Sequence, residues 1–250
     1  MKETAEGMIV GRNPVIEAMN AGREIEKLFI AKGAEGSIKK IAAIAKDNGV
    51  PVHYEEKQVL DRLSGSGNQG VVAIVLAHSY CEVEDIMALA EERGEDPFVV
   101  ILDGVEDPHN LGAVIRTAEA AGAHGVIIPK RRAAGITAAA VKASAGATEH
   151  MLCAKVPNIA QAVEKLKSMG LWIAACDMDG QLYYEADLTG GIGLVVGSEG
   201  TGIGKLVKEK CDFVLAITMK GKISSLNASN AAAVLMYEVR RQRDGKQKNP

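Results

Sequence analysis

Aromatic residues are scarce, at 4% of the 250 residues with a single tryptophan, so a nucleic-acid surface made of many stacked rings is not expected. No apolar run approaches the roughly 18 residues of a membrane helix. The Ala-rich stretch 133–147 comes nearest, and Lys142 interrupts it. The start Met1-Lys2-Glu3-Thr4-Ala5-Glu6 lacks the basic-then-apolar order of a secretion signal. Cys81, Cys153, Cys176 and Cys211 form no CxxC pair, and His53, His78, His109, His124 and His150 lack metal-ligand spacing. No internal repeat is visible. These absences predict a cytoplasmic protein with reduced thiols, no structural metal and no membrane partner.

What is present is ordinary globular material, 47% hydrophobic and 24% charged. The net charge of -3 is unevenly spread. Residues 1–78 hold 10 basic and 10 acidic side chains; 79–97 hold one basic and seven acidic; 98–250 hold 18 basic and 15 acidic. An acidic segment thus separates a neutral piece from a mildly basic one, and that local excess is compatible with an RNA partner. The expected organisation is a small α/β domain over 1–78, an acidic linker with a helical connector over 79–97, and a larger α/β domain over 98–250.

In the first piece, Gly11-Arg12-Asn13-Pro14 reads as a helix start with Asn13 as N-cap and Pro14 at the first helical position. Strands are expected at 25–31, 51–54 and 71–76, and a helix at 37–48. In the second, Phe98-Val99-Val100-Ile101-Leu102-Asp103 is the continuous apolar run of a buried parallel strand. Helices are expected at 110–121, 159–169, 204–210 and 228–243, and strands at 125–128, 172–176, 192–196 and 214–217, with a frayed tail over 245–250. Alternating strands and helices predict a mainly parallel sheet covered on both faces.

Three segments of the second piece carry more polar chemistry than turns require. In Asp107-Pro108-His109-Asn110-Leu111-Gly112-Ala113-Val114-Ile115-Arg116-Thr117-Ala118, a helix opens where a parallel strand ends, the usual ligand-binding edge of α/β folds. The plainer alternative is that Asn110 caps the helix and Arg116 is a solvated cation. In Val196-Gly197-Ser198-Glu199-Gly200-Thr201-Gly202-Ile203-Gly204, glycines permit close backbone approach. A dinucleotide fingerprint fails there, because Lys205 or Val207 stands where the last glycine belongs. In Ser225-Leu226-Asn227-Ala228-Ser229-Asn230, several uncharged hydrogen-bonding side chains precede the closing helix, and any of Ser225, Asn227 or Ser229 could cap it.

Together these three segments, in order and at similar separations, resemble the SpoU family of ribose methyltransferases within the knotted SPOUT superfamily. Gly11-Arg12-Asn13-Pro14-Val15-Ile16-Glu17-Ala18 is similar to the start of the accessory RNA-binding domain, itself like a small ribosomal protein, of the ribosomal-RNA branch. Thr218, where the family usually has proline, and Asn230, where an apolar residue is commoner, depart from the pattern. The resemblance implies a trefoil-knotted α/β domain that uses S-adenosylmethionine to methylate a ribose 2′-hydroxyl. The branch it is nearest to acts on a guanosine in large-subunit (23S) ribosomal RNA. It places Gly197, Ile217, Met219 and Leu226 around the cofactor. Asn110, Arg116, Glu199, Ser225 and Asn227 fall at catalytic and substrate-positioning places. Arg116 would act as general base or as a grip on phosphate and developing alkoxide charge. Arg12, Asn13, Lys130, Arg131 and Arg132 are the expected RNA contacts, ribosomal RNA or a pre-ribosomal particle the partner, and a homodimer the expected assembly. The rivals are a transfer-RNA ribose methyltransferase of the same family and a catalytically silent RNA-binding or ribosome-assembly protein.

Overall fold

A computed structural model describes residues 7–20, 23, 25–75, 80–222 and 225–247. The chain divides into two compact units, Met1–Ala77 and His78–Pro250. Leu76, His78 and the tail 248–250, which fall within the expectations above, lie outside the described residues.

The first unit runs β1 (Met8–Val10), α1 (Arg12–Asn20), β2 (Ile25–Ala31), α2 (Ile38–Asp47), β3 (Val52–Glu55), α3 (Lys57–Ser64) and β4 (Val71–Val75). Its sheet has the order β1-β4-β2-β3, with only the β2–β3 pair parallel. Helix α2 buries Ile38, Ile41 and Ala45, one helical face, against Leu28 and Ile30 of β2. Helix α1 begins at Arg12, so Asn13 lies inside it and is exposed; the first carbonyl of the helix is that of Gly11, which accepts from Val15 N–H at 3.2 Å. The N-cap place expected for Asn13 is thus Gly11's, whose φ of +98° suits glycine.

The second unit runs α4 (Val83–Arg93), β5 (Phe98–Asp103), α5 (Pro108–Ala120), β6 (Gly125–Pro129), α6 (Ala138–Ser144), β7 (Leu152–Val156), α7 (Ile159–Ser168), β8 (Trp172–Leu182), β9 (Ile192–Gly197), α8 (Lys205–Lys210), β10 (Phe213–Ala216) and α9 (Ala228–Gln247). All six strands are parallel, in the order β10-β8-β9-β5-β6-β7. The apolar run of β5 is explained by its central place. Phe98, Val100 and Leu102 pack with α5 and α9 on one face, and Val99 and Ile101 pack with α4 and α7 on the other.

Helix α4 lies within the segment expected as an acidic linker, and it is docked on the second unit. Val83, Ile86 and Ala90 are buried, while its acids face outward. A Cβ at Gly125 would stand 2.4 Å from Ile86 Cδ1, so the glycine at the start of β6 is what admits this helix. Strand β5 has β6 on one side and β9 on the other, so the chain reverses its direction of travel across the sheet there. The carboxyl ends of β5 and β9 therefore open onto the crevice where such sheets bind ligands.

Candidate active site

Helix α5 starts at Pro108, two residues before the expected position, and Asp107 is its cap, accepting from His109 N–H at 2.9 Å. Asp-Pro is the better start because proline needs no donor at the first helical position. Asn110 is thereby free of capping and points to the β9 loop. Its Nδ2 donates to Glu199 Oε1 at 2.9 Å, and its Oδ1 accepts from Asn227 Nδ2 at 3.0 Å. Asn227 Nδ2 also donates to Glu199 Oε1. Three residues from three motifs thus close a hydrogen-bonded ring.

Asn227 has a second task. It stands just before α9, and its Oδ1 accepts from Ser229 N–H at 3.0 Å, Ser229 Oγ–H at 2.6 Å and Asn230 N–H at 3.3 Å. It is the helix cap of the plainer alternative and a member of the ring at once, with the amide oriented by both sets of partners.

The loop that carries Glu199 is a tight hairpin. Ser198 and Gly202 exchange backbone hydrogen bonds of 3.2 and 2.9 Å, and Ser198 Oγ lies 2.8 Å from Thr201 Oγ1. A Cβ at Gly197 would meet the Gly202 carbonyl carbon at 2.2 Å, so the loop folds back onto the end of β9 only over a glycine. At its far side, Gly204 N–H donates to Asp103 Oδ2 at 2.7 Å, tying the entry of α8 to the end of β5.

This hairpin separates two cavities. The smaller, about 380 Å³, is lined by Gly197, Ile217, Met219 and Leu226, all four expected cofactor residues, and by Ser225, Cys176, Asp177 and Met178. The larger, about 790 Å³, is lined by Asn110, Arg131 and Arg132 and by Asp103, Glu106 and Asp107. Residues 198–202 and Ala228 line both. The smaller cavity has apolar walls, accessible main chain at Gly197 and two carboxylates, a donor set that suits a partly apolar cation. Among the described residues, no group of three or more His, Cys, Asp or Glu side chains could hold a metal ion.

The remaining expected residues lie outside the ring. Ser225 is exposed on the wall of the smaller cavity. Arg116 is exposed on α5, about 9 Å further along the axis than Asn110 and turned well away from it. It lines neither cavity. Arg131 and Arg132 are exposed in the larger cavity, and Lys130 is exposed beside it. Arg132 holds a left-handed φ of +55°, unusual for a long side chain. Arg12 is committed within its own unit: Nε donates to Gln69 O at 3.0 Å and Nη1 to Glu35 O at 2.8 Å, clamping two loops. Cys176, Asp177 and Met178 carried no motif and were not expected at the site.

Burial, reinforced by the neighbouring Asp177 charge, pushes the Cys176 thiol up to about 11. The thiolate is the reactive form, so alkylation of Cys176 by iodoacetamide should be slower than that of a free thiol. Mass spectrometry of protein treated at pH 7.5 checks this; rapid labelling at Cys176 would contradict the burial described.

Comparison with known proteins accords with this geometry. Residues 97–237 match the SpoU rRNA Methylase family, and residues 8–81 match the domain described as RNA 2′-O ribose methyltransferase substrate binding. A Bacillus subtilis protein, YacO, whose name places it among TrmH family tRNA/rRNA methyltransferases, is 45% identical over 238 residues, covering 94% of this chain and 96% of its own. The SpoU methyltransferase AviRb of Streptomyces viridochromogenes, solved with the cofactor AdoMet, superposes with a TM-score of 0.60 at 25% identity, covering 95% of this chain and 90% of that one. An AdoMet-bound rRNA methyltransferase of Sinorhizobium meliloti gives 0.60 at 26% identity, over 94% and 87% of the two chains. With more than half the chain matched by one family and a relative this similar over nearly its whole length, the chain belongs to the SpoU rRNA methylase family.

Proposed function

We propose that this chain methylates the 2′-hydroxyl of a guanosine ribose in large-subunit (23S) ribosomal RNA, with S-adenosylmethionine as donor. The observation that carries the reading is the pair of cavities sharing the 198–202 wall, with Glu199 fixed between them by Asn110 and Asn227. The smaller cavity takes the donor and the larger the acceptor nucleotide. The substrate-binding domain matched at 8–81 supports RNA as acceptor. Methylation of ribosomal RNA puts the protein in the cytoplasm, and the trefoil knot of the family is the expected path of the C-terminal segment.

The donor, when bound, supplies a methyl group activated by its sulfonium. What the chain must do is align the acceptor oxygen and manage its proton. Two amides hold Glu199 Oε1, while Oε2 has no hydrogen-bond partner among the described residues. Oε2 accepts from the ribose hydroxyl and holds its oxygen at the edge of the shared wall, where the two cavities adjoin. Arg131 and Arg132 take flanking phosphates in the larger cavity. Each arginine replaced by alanine should lower the slope of log affinity against log salt by about 0.7–0.9, measured by RNA titration at several salt concentrations; unchanged slopes would remove them from the interface.

Arg116 cannot join the ring of its own chain, because it lies further along α5 and on another side of it. A homodimer resolves this: the partner subunit's Arg116 serves the site, gripping phosphate and stabilising developing alkoxide charge, while the hydroxyl proton passes to Glu199 Oε2. Arg116→Ala and Glu199→Ala proteins, each inactive, should then regain about a quarter of wild-type activity when unfolded, mixed in equal amounts and refolded, since half the dimers are mixed and each has one intact site. No recovery would place Arg116 in cis or outside catalysis.

The reaction is tested by transfer of labelled methyl to unmodified ribosomal RNA, then alkaline hydrolysis. Ribose methylation blocks cleavage and leaves a labelled dinucleotide whose first nucleoside names the target. Label on transfer RNA would keep the reaction and replace the substrate. No transfer to either RNA, with donor binding intact, points to a pre-ribosomal particle; without donor binding, the chain is a silent RNA-binding protein.

A further inference from the structure

Strand β8 does not pair continuously with β10. Phe213 and Val214 face Ala174 and Ala175, but the next residues, Leu215 and Ala216, face Gln181 and Leu182. Residues 176–180 are therefore surplus on β8 and bulge from the sheet. The neck of the bulge is closed by Gly180, where a Cβ would stand 2.4 Å from Val214 O, so no other residue fits. Three residues of the bulge, Cys176, Asp177 and Met178, wall the 380 Å³ cavity, and Met178 is 68% exposed, so packing alone does not hold it.

One side chain bridges two carboxylates of the bulge. Lys208 Nζ, from α8, donates to Asp177 Oδ2 at 2.8 Å and Asp179 Oδ1 at 2.7 Å. These hydrogen bonds raise the Lys208 pKa and lower that of Asp179, so the ammonium and carboxylate are held charged together. Two residues separate helix α8 from the hairpin that also lines the cavity, and the entry of the helix is tied to β5 through Asp103. Lys208 therefore links two walls of one cavity. Partly exposed ion pairs add little to fold stability, so ordering the bulge is the larger effect of this one.

We infer that Lys208 is a positioning residue for the methyl donor: by gripping Asp177 and Asp179 it holds the bulge 176–180 as a preformed wall of the donor cavity. The inference rests on assigning the donor to that cavity. Without Lys208 the wall is mobile, and donor binding must include the cost of ordering it.

The test uses the full-length protein with Lys208→Ala and Lys208→Arg. Titration calorimetry with S-adenosylmethionine should show an affinity about 10-fold weaker for the alanine variant. Hydrogen exchange in donor-free protein should show the amides of 176–180 opening about 10-fold faster. RNA affinity and melting temperature should stay near wild type, and arginine should restore both donor affinity and protection. Unchanged donor affinity and exchange in Lys208→Ala overturn the proposal. So does a parallel loss of RNA affinity and melting temperature, which marks general structural damage. Wild-type protein that binds no S-adenosylmethionine, while its bulge still loosens on Lys208→Ala, overturns the donor assignment and the proposal with it.

Discussion

Asn227→Ala is expected to lower the turnover rate by about 100-fold, comparable to the loss of one preorganised donor at a reacting centre. The same change should lower fold stability by about 1 kcal/mol, the usual worth of a helix cap. The two effects come from opposite ends of one amide: Nδ2 serves Glu199 and Asn110, and Oδ1 serves the start of α9. They should therefore separate. Asn227→Ser keeps an oxygen for the cap and replaces the two-proton amide with a single hydroxyl on a shorter side chain, so it should regain most of the stability and little of the rate. Asn227→Asp also keeps the cap, and sets a second carboxylate against Glu199. Melting curves beside single-turnover methyl transfer decide the matter. A serine variant restoring both properties would mean that the ring matters only through α9.

Gly197→Ala should be as damaging by a different route. Its Cβ would lie 2.2 Å from the Gly202 carbonyl carbon and 2.3 Å from Ile203 N, both main-chain atoms. The 198–202 hairpin must move, and with it Glu199 and the wall shared by both cavities. Overpacking of this kind costs about 1–3 kcal/mol. A displacement near 1 Å at a reacting centre costs about 100-fold in rate. Neighbouring glycines give the control. A Cβ at Gly200 meets nothing within 4 Å, and one at Gly202 is opposed only by the left-handed backbone, φ +66°. The expected order of damage is Gly197→Ala, then Gly202→Ala, then Gly200→Ala, in both donor affinity and melting temperature. A Gly200→Ala protein as impaired as Gly197→Ala would sink the steric account.

How much of this was legible beforehand depends on how local each signal is. Strands β2 and β5 are read from the sequence to the residue, because each is a short apolar run bounded by polar turns. Helix α5 was started two residues late, since Asn110 is as good a cap by type as Asp107; only the structure shows which one the helix uses. Strand β7 and helix α6, like β1 and α3, are not among the expected elements. The first is a five-residue strand containing Lys155, and the second is an alanine-rich stretch whose helicity depends on packing against Gly112, where a Cβ would meet Ala140 O at 2.4 Å. Strand β8 was ended near 176 because the bulge is polar.

The site itself joins positions 89 and 117 apart in sequence, Asn110 with Glu199 and Asn110 with Asn227. No periodicity or turn rule predicts such contacts, and only the motif resemblance groups those residues. It could not reveal that Arg12 braces its own loops, that Arg116 stands away from the ring, or that Lys208 grips the bulge. Those facts depend on side-chain placement, not on residue type.

The partition at 198–202 has a consequence for inhibitor design. Because residues 198–202 line both the 380 Å³ and the 790 Å³ cavity, the two compartments adjoin along one edge. A compound linking a nucleoside head to a sugar-phosphate tail would engage the second compartment as an intramolecular event, at an effective concentration in the millimolar range for a short tether. Under the proposed reaction the tether must pass Glu199, beside the path of the methyl group. On that assignment a cationic linking atom suits the carboxylate and a carbonyl does not, so bisubstrate inhibitors should bind more tightly as amines than as amides.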